Sequence, residues 1–279
     1  MSAGARDGRK LIFLDIDGTL TLPGRNVPPE SALQAVRDAQ KKGHGVFLCT
    51  GRNRGMTAPL LRYGFDGAVC SAGGCIFLHD EILYDHPISN RDRDDLLSAL
   101  RDSGVFSILE ARDSAFVDGD FRDLLAQAGP GNSELERWRA AVQDELGVLP
   151  MSAYRGEPVY KVTFTCFERH QVDRAREQLQ DRFVCRIHDL FPSIVNGEFI
   201  SLAFDKGRAM LRLCEHLGVP RENTVGFGDS MNDLEMVETA GIGVAMGNAS
   251  AELKEHADLV CPPVGEDGLA AAFTQLGLV

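Results

Sequence analysis

The chain has 279 residues, 44% of them hydrophobic, and carries 29 basic against 41 acidic side chains for a formal charge of −12. That length asks for one large or two medium domains. The acidity argues against nucleic acid and anionic membrane as partners, and no apolar run approaches the ~18 residues needed to span a bilayer.

The first ten residues are polar and lack the apolar centre of a secretory signal, so a cytoplasmic protein is expected. Leu11–Leu14 is a short apolar run that reads as a buried strand of a parallel sheet. It stops abruptly at Asp15-Ile16-Asp17-Gly18-Thr19. Residues i and i+2 of a strand share a face, so Asp15 and Asp17 are expected together at its C-terminal end. In open α/β sheets that end is where ligands bind. Two carboxylates there repel unless a cation or a shared proton relieves them. A lone motif of this kind reads better as a strand that merely ends in an Asx-rich turn; the signals further along the chain overturn that.

Pro28 and Pro29 precede a helix over Glu30–Lys42, with Leu33 and Val36 at helical spacing and Gly43 closing it. Gly45–Cys49 is a second strand, ending at Thr50-Gly51-Arg52, and a helix follows through Met56 and Leu60. Ala68–Ser71 is a third strand candidate. Strands and helices alternating at this spacing predict a doubly wound parallel α/β sheet, Rossmann-like in its winding.

From about Tyr84 the character changes. Asn90–Asp95 is a charged helix start, helices are expected around Glu134–Glu145 and His170–Gln180, and Gly129–Asn132 marks a loop. Val159–Phe164 alternates apolar and polar residues, which predicts a sheet with one solvated face and hence an inserted α+β module. The α/β pattern resumes near Phe204. A helix spans Lys206–Leu217 up to Gly218, a strand Thr224–Gly228, and a helix runs from Met231 to Gly241, read as its C-cap. Ile242–Ala245 is a further strand, Ser250–Ala257 a helix, Leu259–Cys261 extended and Glu266–Leu276 a closing helix. The expected division is a core of residues 1–84 and 204–279 interrupted by a second domain at 85–203.

Seven cysteines (Cys49, Cys70, Cys75, Cys166, Cys185, Cys214, Cys261) are scattered without a C-x-x-C, which fits reduced core thiols better than a disulfide framework. The seven histidines show no zinc-like clustering. Three further signals fall at strand ends. Thr50, with the N–H groups of Gly51 and Arg52, suits an anionic oxygen, although a threonine at a helix start is by itself more often just a cap. Lys206 opens a helix, where a cation opposes the helix dipole unless it faces phosphate or carboxylate. Gly228-Asp229-Ser230-Met231-Asn232-Asp233 sets one carboxylate at a strand end and another, with an amide, in the next helical turn. Capping explains Asp233 but not Asp229.

In this order, D-x-D-G-T, T-G-R, K-G and G-D-x-x-N-D resemble the haloacid dehalogenase superfamily, and more narrowly its Cof-type branch with a class IIB cap. The tail from Ala240 to Ala249, with Lys254, Ala257-Asp258 and Glu266-Asp267-Gly268, is similar to that branch. The resemblance implies an α/β core with an inserted α+β cap, and a Mg²⁺-dependent phosphatase of small phosphorylated metabolites such as sugar phosphates. It implies Asp15 as nucleophile through an aspartyl-phosphate and Asp17 as general acid, then base. Mg²⁺ would sit on Asp15, the Asp17 carbonyl and Asp229, with Asp233 supporting Lys206 or the metal's waters. Thr50, Gly51, Arg52, Lys206 and Asn232 would hold phosphate or substrate. Ser71-Ala72-Gly73-Gly74 departs from the Asn-Gly common in relatives; the turn is expected to survive without the amide. Lys161, Asn196 and Glu198 are candidate leaving-group contacts in the cap, set against plain structural or solvated polar positions.

Gly241–Gly247 superficially matches a dinucleotide fingerprint, but its glycines precede a strand instead of following one, and no P-loop signature occurs. Phosphoryl transfer or mutase chemistry on the same fold, and a non-catalytic phosphosugar-binding protein, remain as alternatives. A monomer or homodimer is expected, with no nucleic acid and no membrane partner.

Overall fold

The computed structural model describes residues 8–79, 81–118, 138, 139, 142, 147–191 and 194–279. Its first sheet has eight strands. β1 (Leu11–Leu14) lies between β2 (Gly45–Cys49) and β12 (Thr224–Gly228), and the order is β14-β13-β12-β1-β2-β3-β4-β5. β3 (Gly67–Cys70), β13 (Ile242–Ala245) and β14 (Leu259–Val260) continue the parallel pairing on either side. Chain direction along the sheet therefore reverses at β1, which puts its C-terminal end in the crevice where such sheets bind ligands. β4 (Cys75–Leu78) and β5 (Glu81–Asp85) extend the edge as an antiparallel hairpin that the sequence reading did not include.

The winding follows from β1 being apolar on both faces. Ile12 and Leu14 pack with Val36 and Ala39 of α1 (Glu30–Lys41) and Phe273 of α8 (Gly268–Gln275). Leu11 and Phe13 pack oppositely, with Met210 and Leu213 of α5 (Lys206–Leu217) and Met236 of α6 (Leu234–Thr239). All four strand residues are fully buried. Burying each such side chain stabilises the fold by roughly 1.5–3 kcal/mol. α2 (Arg54–Leu61) and α7 (Ala251–His256) complete the helices of this layer system, and α2 is capped by the Asn53 side chain accepting from Met56 N–H at 2.9 Å.

The second sheet comes wholly from the chain between β5 and α5. Its order is β10-β11-β9-β6-β7-β8: β6 (Phe106–Ala111), β7 (Ala115–Val117), β8 (Val148–Pro150), β9 (Val159–Cys166), β10 (Phe183–Phe191) and β11 (Ile194–Ser201). α3 (Asn90–Asp102) and α4 (Asp173–Leu179) cover one face through Leu96, Leu100, Ala175 and Leu179 against Val162 and Phe164. The expected solvated face does not exist on β9, whose eight residues are all buried. Its polar side, carrying Lys161, Thr163 and Thr165, is turned inward, and Lys161 Nζ donates to the Gly51 carbonyl at 3.1 Å. Alternation correctly marked two chemically different faces, but the polar one meets protein instead of water.

Of the helix expected around 134–145, only Trp138, Arg139 and Val142 are described, all helical, and the loop at 129–132 lies outside the described residues. Gly241 is not a helix C-cap. α5 ends on Gly218 in the left-handed region at φ 63°, but α6 ends on Ala240 at φ −58°. Gly241 instead donates its N–H to Thr224 Oγ1 at 2.8 Å, and a Cβ there would sit 2.5 Å from the Glu222 carbonyl oxygen. Close backbone approach, not backbone handedness, requires the glycine.

Candidate active site

Asp15 follows β1 directly, its backbone N–H bonded to the Phe227 carbonyl at 3.0 Å, and the residue is 5% exposed. Lys206, the first residue of α5, reaches it: Nζ donates to Asp15 Oδ1 at 2.7 Å and also to Asp233 Oδ1. Lys206 is 1% exposed. Burial alone would lower the lysine, but Asp15 and Asp233 outweigh it and hold it strongly protonated. The dipole penalty at a helix start is thus offset by two carboxylates.

Asp233 has both oxygens engaged. Its Oδ2 accepts from the backbone N–H groups of Asp229 at 3.0 Å and Ser230 at 3.2 Å, within a capping box that opens the turn Met231–Asp233. Capping and Lys206 support are therefore one role for Asp233. Asp229 directly follows β12, beside Gly18, where φ is +88° and a Cβ would lie 2.1 Å from Asp229 Oδ2. Asn248 Nδ2 donates to the Gly18 carbonyl at 2.8 Å and so fixes the loop after β1.

Asp15, Asp229 and Asp233 each offer a carboxylate oxygen, all within 4.8 Å of one another. Burial, then repulsion from Asp233 and, more weakly, Asp17, pushes Asp15 up to about 7 against the pull of Lys206. Burial, then Asp15 and Asp233, pushes Asp229 up to about 9. Three crowded carboxylates facing one lysine are a hard oxygen donor set short of positive charge, which a divalent cation would fit.

The Asp17 carboxylate is held by a neighbouring side chain. Arg52, 3% exposed, grips it with Nε on Oδ2 at 2.8 Å and Nη2 on Oδ1 at 2.7 Å, while Nη1 donates to Asn26 Oδ1 at 2.6 Å. Asp17 Oδ1 also accepts from Gly24 N–H at 2.8 Å. Arg52, read as a phosphate or substrate contact, thus holds the neighbouring carboxylate. Thr50 is buried and accepts the Arg52 N–H at 3.1 Å through Oγ1; the cap of α2 is Asn53, so Thr50 is not the helix cap. The turn Ser71–Gly73 forms without the amide: Ser71 N–H bonds the Arg52 carbonyl at 2.8 Å and Ala72 N–H the Thr50 carbonyl at 3.0 Å.

Asn232 accepts from Ser230 Oγ at 2.9 Å and, with Gly51 and Lys206, lines a cavity of about 270 Å³ between the two sheets. Glu198 and Arg186 line the opposite side. Lys161, Asn196 and Glu198 are all buried, at most 4% exposed, so none is a solvated polar position. Lys161 Nζ donates to Glu198 Oε2 at 2.7 Å and lies 3.2 Å from Glu110 Oε1, which also accepts from Thr163 Oγ1 at 2.5 Å. Arg186 of β10 donates to the Met231 carbonyl at 2.9 Å and pairs with Glu235. Glu110, Thr163, Arg186 and Glu235 have no local motif, and nothing in the linear sequence marks them.

A buried carboxylate–lysine pair and an acidic donor set at the switch point of a doubly wound sheet, roofed by a second sheet, define a capped α/β enzyme. The profile of haloacid dehalogenase-like hydrolases matches residues 12–273, and the chain belongs to that family. It is 30% identical over 296 residues to phosphatase YwpJ of Bacillus subtilis (strain 168), covering 96% of this chain and 99% of that protein. The solved structure of a haloacid dehalogenase-like hydrolase from B. subtilis superposes with a TM-score of 0.80 at 25% identity, covering 96% and 99% of the two chains. The subclass IIB sugar phosphatase BT4131 shares the fold with a TM-score of 0.75 at 24% identity, covering 97% of this chain and 100% of its own.

Proposed function

We propose that the protein is a Mg²⁺-dependent phosphatase of small phosphomonoesters that works through an aspartyl-phosphate on Asp15. The contact of Lys206 with Asp15 at 2.7 Å, inside the acidic cluster and at the wall of the cavity between the sheets, supports this reading most directly. Mg²⁺ held by Asp15, Asp229 and the Asp17 carbonyl would supply positive charge against carboxylate repulsion and phosphate. Asp15 attacks phosphorus, forming a P–O bond as the bond to the leaving oxygen breaks. Asp17 gives its proton to that leaving alkoxide, then takes one from the water that cleaves the acyl-phosphate and restores Asp15. Both Asp17 oxygens are held by Arg52, so delivering the proton requires the side chain to leave that fork.

Lys206 and Thr50 grip the phosphoryl oxygens, with the Gly51 N–H and Asn232 beside them. Arg52 acts on Asp17 in this reading, as a positioning residue. Residues 85–203 form the cap over a core of 1–84 and 204–279, and the inward polar face of the second sheet supports a closed resting arrangement. A cytoplasmic monomer or homodimer fits the seven cysteines, none of which is in a disulfide. Among the described residues no helix is long and apolar enough to cross a membrane.

The test is phosphate release from a panel of phosphomonoesters with Mg²⁺, comparing the wild type with Asp15→Asn and an EDTA control. Release by the wild type alone is expected. No turnover of any ester by folded protein with Mg²⁺ overturns the reading. A new ester in place of inorganic phosphate, when a sugar acceptor is added, identifies phosphoryl transfer instead.

A further inference from the structure

The charges that line the cavity balance one another. Arg186, Lys206 and Arg208 stand there with Glu198, Asp205 and Glu235. Each is ion-paired: Arg186 with Glu235, Arg208 with Asp205, Glu198 with Lys161, and Lys206 with Asp15 and Asp233. Balanced, paired charges give little preference between leaving groups of equal charge. The rest of the lining includes an apolar patch.

Ala72, Val184, Ile200 and Phe204 form an apolar cluster of their own, and all four line the same cavity as Gly51 and Lys206. They come from separate parts of the chain. Val184 and Ile200 are directly opposed on β10 and β11, which puts them on one face of the second sheet. Ala72 lies in the turn after β3, its N–H bonded to the Thr50 carbonyl at 3.0 Å. Phe204 lies between β11 and α5, two residues before Lys206. Its ring is backed by Gly74, where a Cβ would come 3.0 Å from Cζ, and meets the His86 ring edge-on at 6.3 Å. The patch is thus held in place by both sheets, beside the residues that receive phosphate in the phosphatase reading.

We infer that this patch selects monophosphate esters whose leaving group presents an apolar ring to Ala72, Ile200 and Phe204. The inference rests on the phosphatase reading and narrows its substrates by hydration and shape, not by charge. A ring laid on the patch removes both apolar surfaces from water. A leaving group covered in hydroxyls gives up hydrogen bonds to water at the same place, and these side chains offer none in return.

The experiment compares kcat/KM with Mg²⁺ for benzyl phosphate and glucose 6-phosphate in wild type, Ala72→Asn and Ile200→Thr. Both esters are phosphates of primary alcohols with the same charge, so the ratio reads what the leaving group presents to the wall. Wild type should favour benzyl phosphate by about tenfold or more, mainly through KM. Ala72 has φ +56°, a region asparagine tolerates well, so Ala72→Asn adds an amide to the patch with the turn kept. Ile200→Thr keeps the β-branched shape suited to a strand and sets a hydroxyl in the patch. The ratio should narrow by about tenfold in Ala72→Asn and roughly threefold in Ile200→Thr. It is taken on one preparation, so it does not depend on the fraction folded. The patch loses its role, and the phosphatase reading stands, on any of three results: wild type uses glucose 6-phosphate equally or better, it hydrolyses other phosphomonoesters but not benzyl phosphate, or the ratio is unmoved in either folded variant. Failure of wild type to hydrolyse any ester, p-nitrophenyl phosphate included, overturns both.

Discussion

The two sides of the cavity are built on different principles. On the first-sheet side, Asp15, Lys206, Asp229 and Asp233 sit at strand ends and helix starts, each fixed by backbone that is itself buried and hydrogen-bonded. On the second-sheet side, Glu198 and Lys161 stand mid-strand, and Arg186 reaches across to the Met231–Glu235 turn from a rim where the pair is 23% and 35% exposed. The first side is preorganised by covalent neighbours. The second depends on how two sheets meet, so it can vary or move without disturbing the first.

Replacing Lys206 by Met should be the severest test of that contrast. It strands Asp15 and Asp233, both buried, and breaking such a pair costs about 3–5 kcal/mol. Removing a charge aimed at the reacting group typically costs about 10²–10³ in turnover. Urea unfolding and steady-state kinetics on the same preparation measure both; a variant as active and stable as wild type would mean the first side is not preorganised around this lysine.

The next effect is on pH. Without metal, Asp15 and Asp229 hold protons in the folded state that the unfolded chain releases near the ordinary carboxylate value. Their contribution to stability is therefore present at low pH and lost as pH rises, through about 7 for Asp15 and about 9 for Asp229. In EDTA, Tm should fall between pH 5 and 9, and saturating Mg²⁺ should flatten that fall. A metal-free Tm that rises with pH over this window contradicts the crowding of the cluster.

Arg186→Ala should do least to stability, less than about 1 kcal/mol, because its ion pair is partly exposed. Its effect should appear as a raised KM with kcat nearly unchanged, the signature of a weakened closed arrangement. Were it to destabilise as much as Lys206→Met, the two sides would be equally rigid and the contrast would fail.

Much of the first side was legible because its signals are local. An apolar run that stops at Asp15, a lysine at an unfavourable helix end and an aspartate that capping does not explain each pointed to a strand-end site, and the structure brings all three within one cluster. The hairpin β4–β5 was not read, although Cys75–Leu78 is an apolar run, because antiparallel additions at a sheet edge follow no winding rule. Arg52 was read toward the ligand beside Thr50, and its fork on Asp17 came from a contact 35 residues away along the chain.

By itself the sequence determined the winding of the first sheet, the residues at its strand ends and the family to which the chain belongs, because apolar periodicity and strand termini are set by neighbours within a few positions. Tertiary structure alone decided that the polar face of β9 is dry, that Lys161 is shared by Glu110 and Glu198, and that Arg186 spans to Glu235. The physical reason is that a polar residue alternating along a strand is the same string of letters whether water or another sheet lies opposite. Only the packing of the two sheets chooses between them.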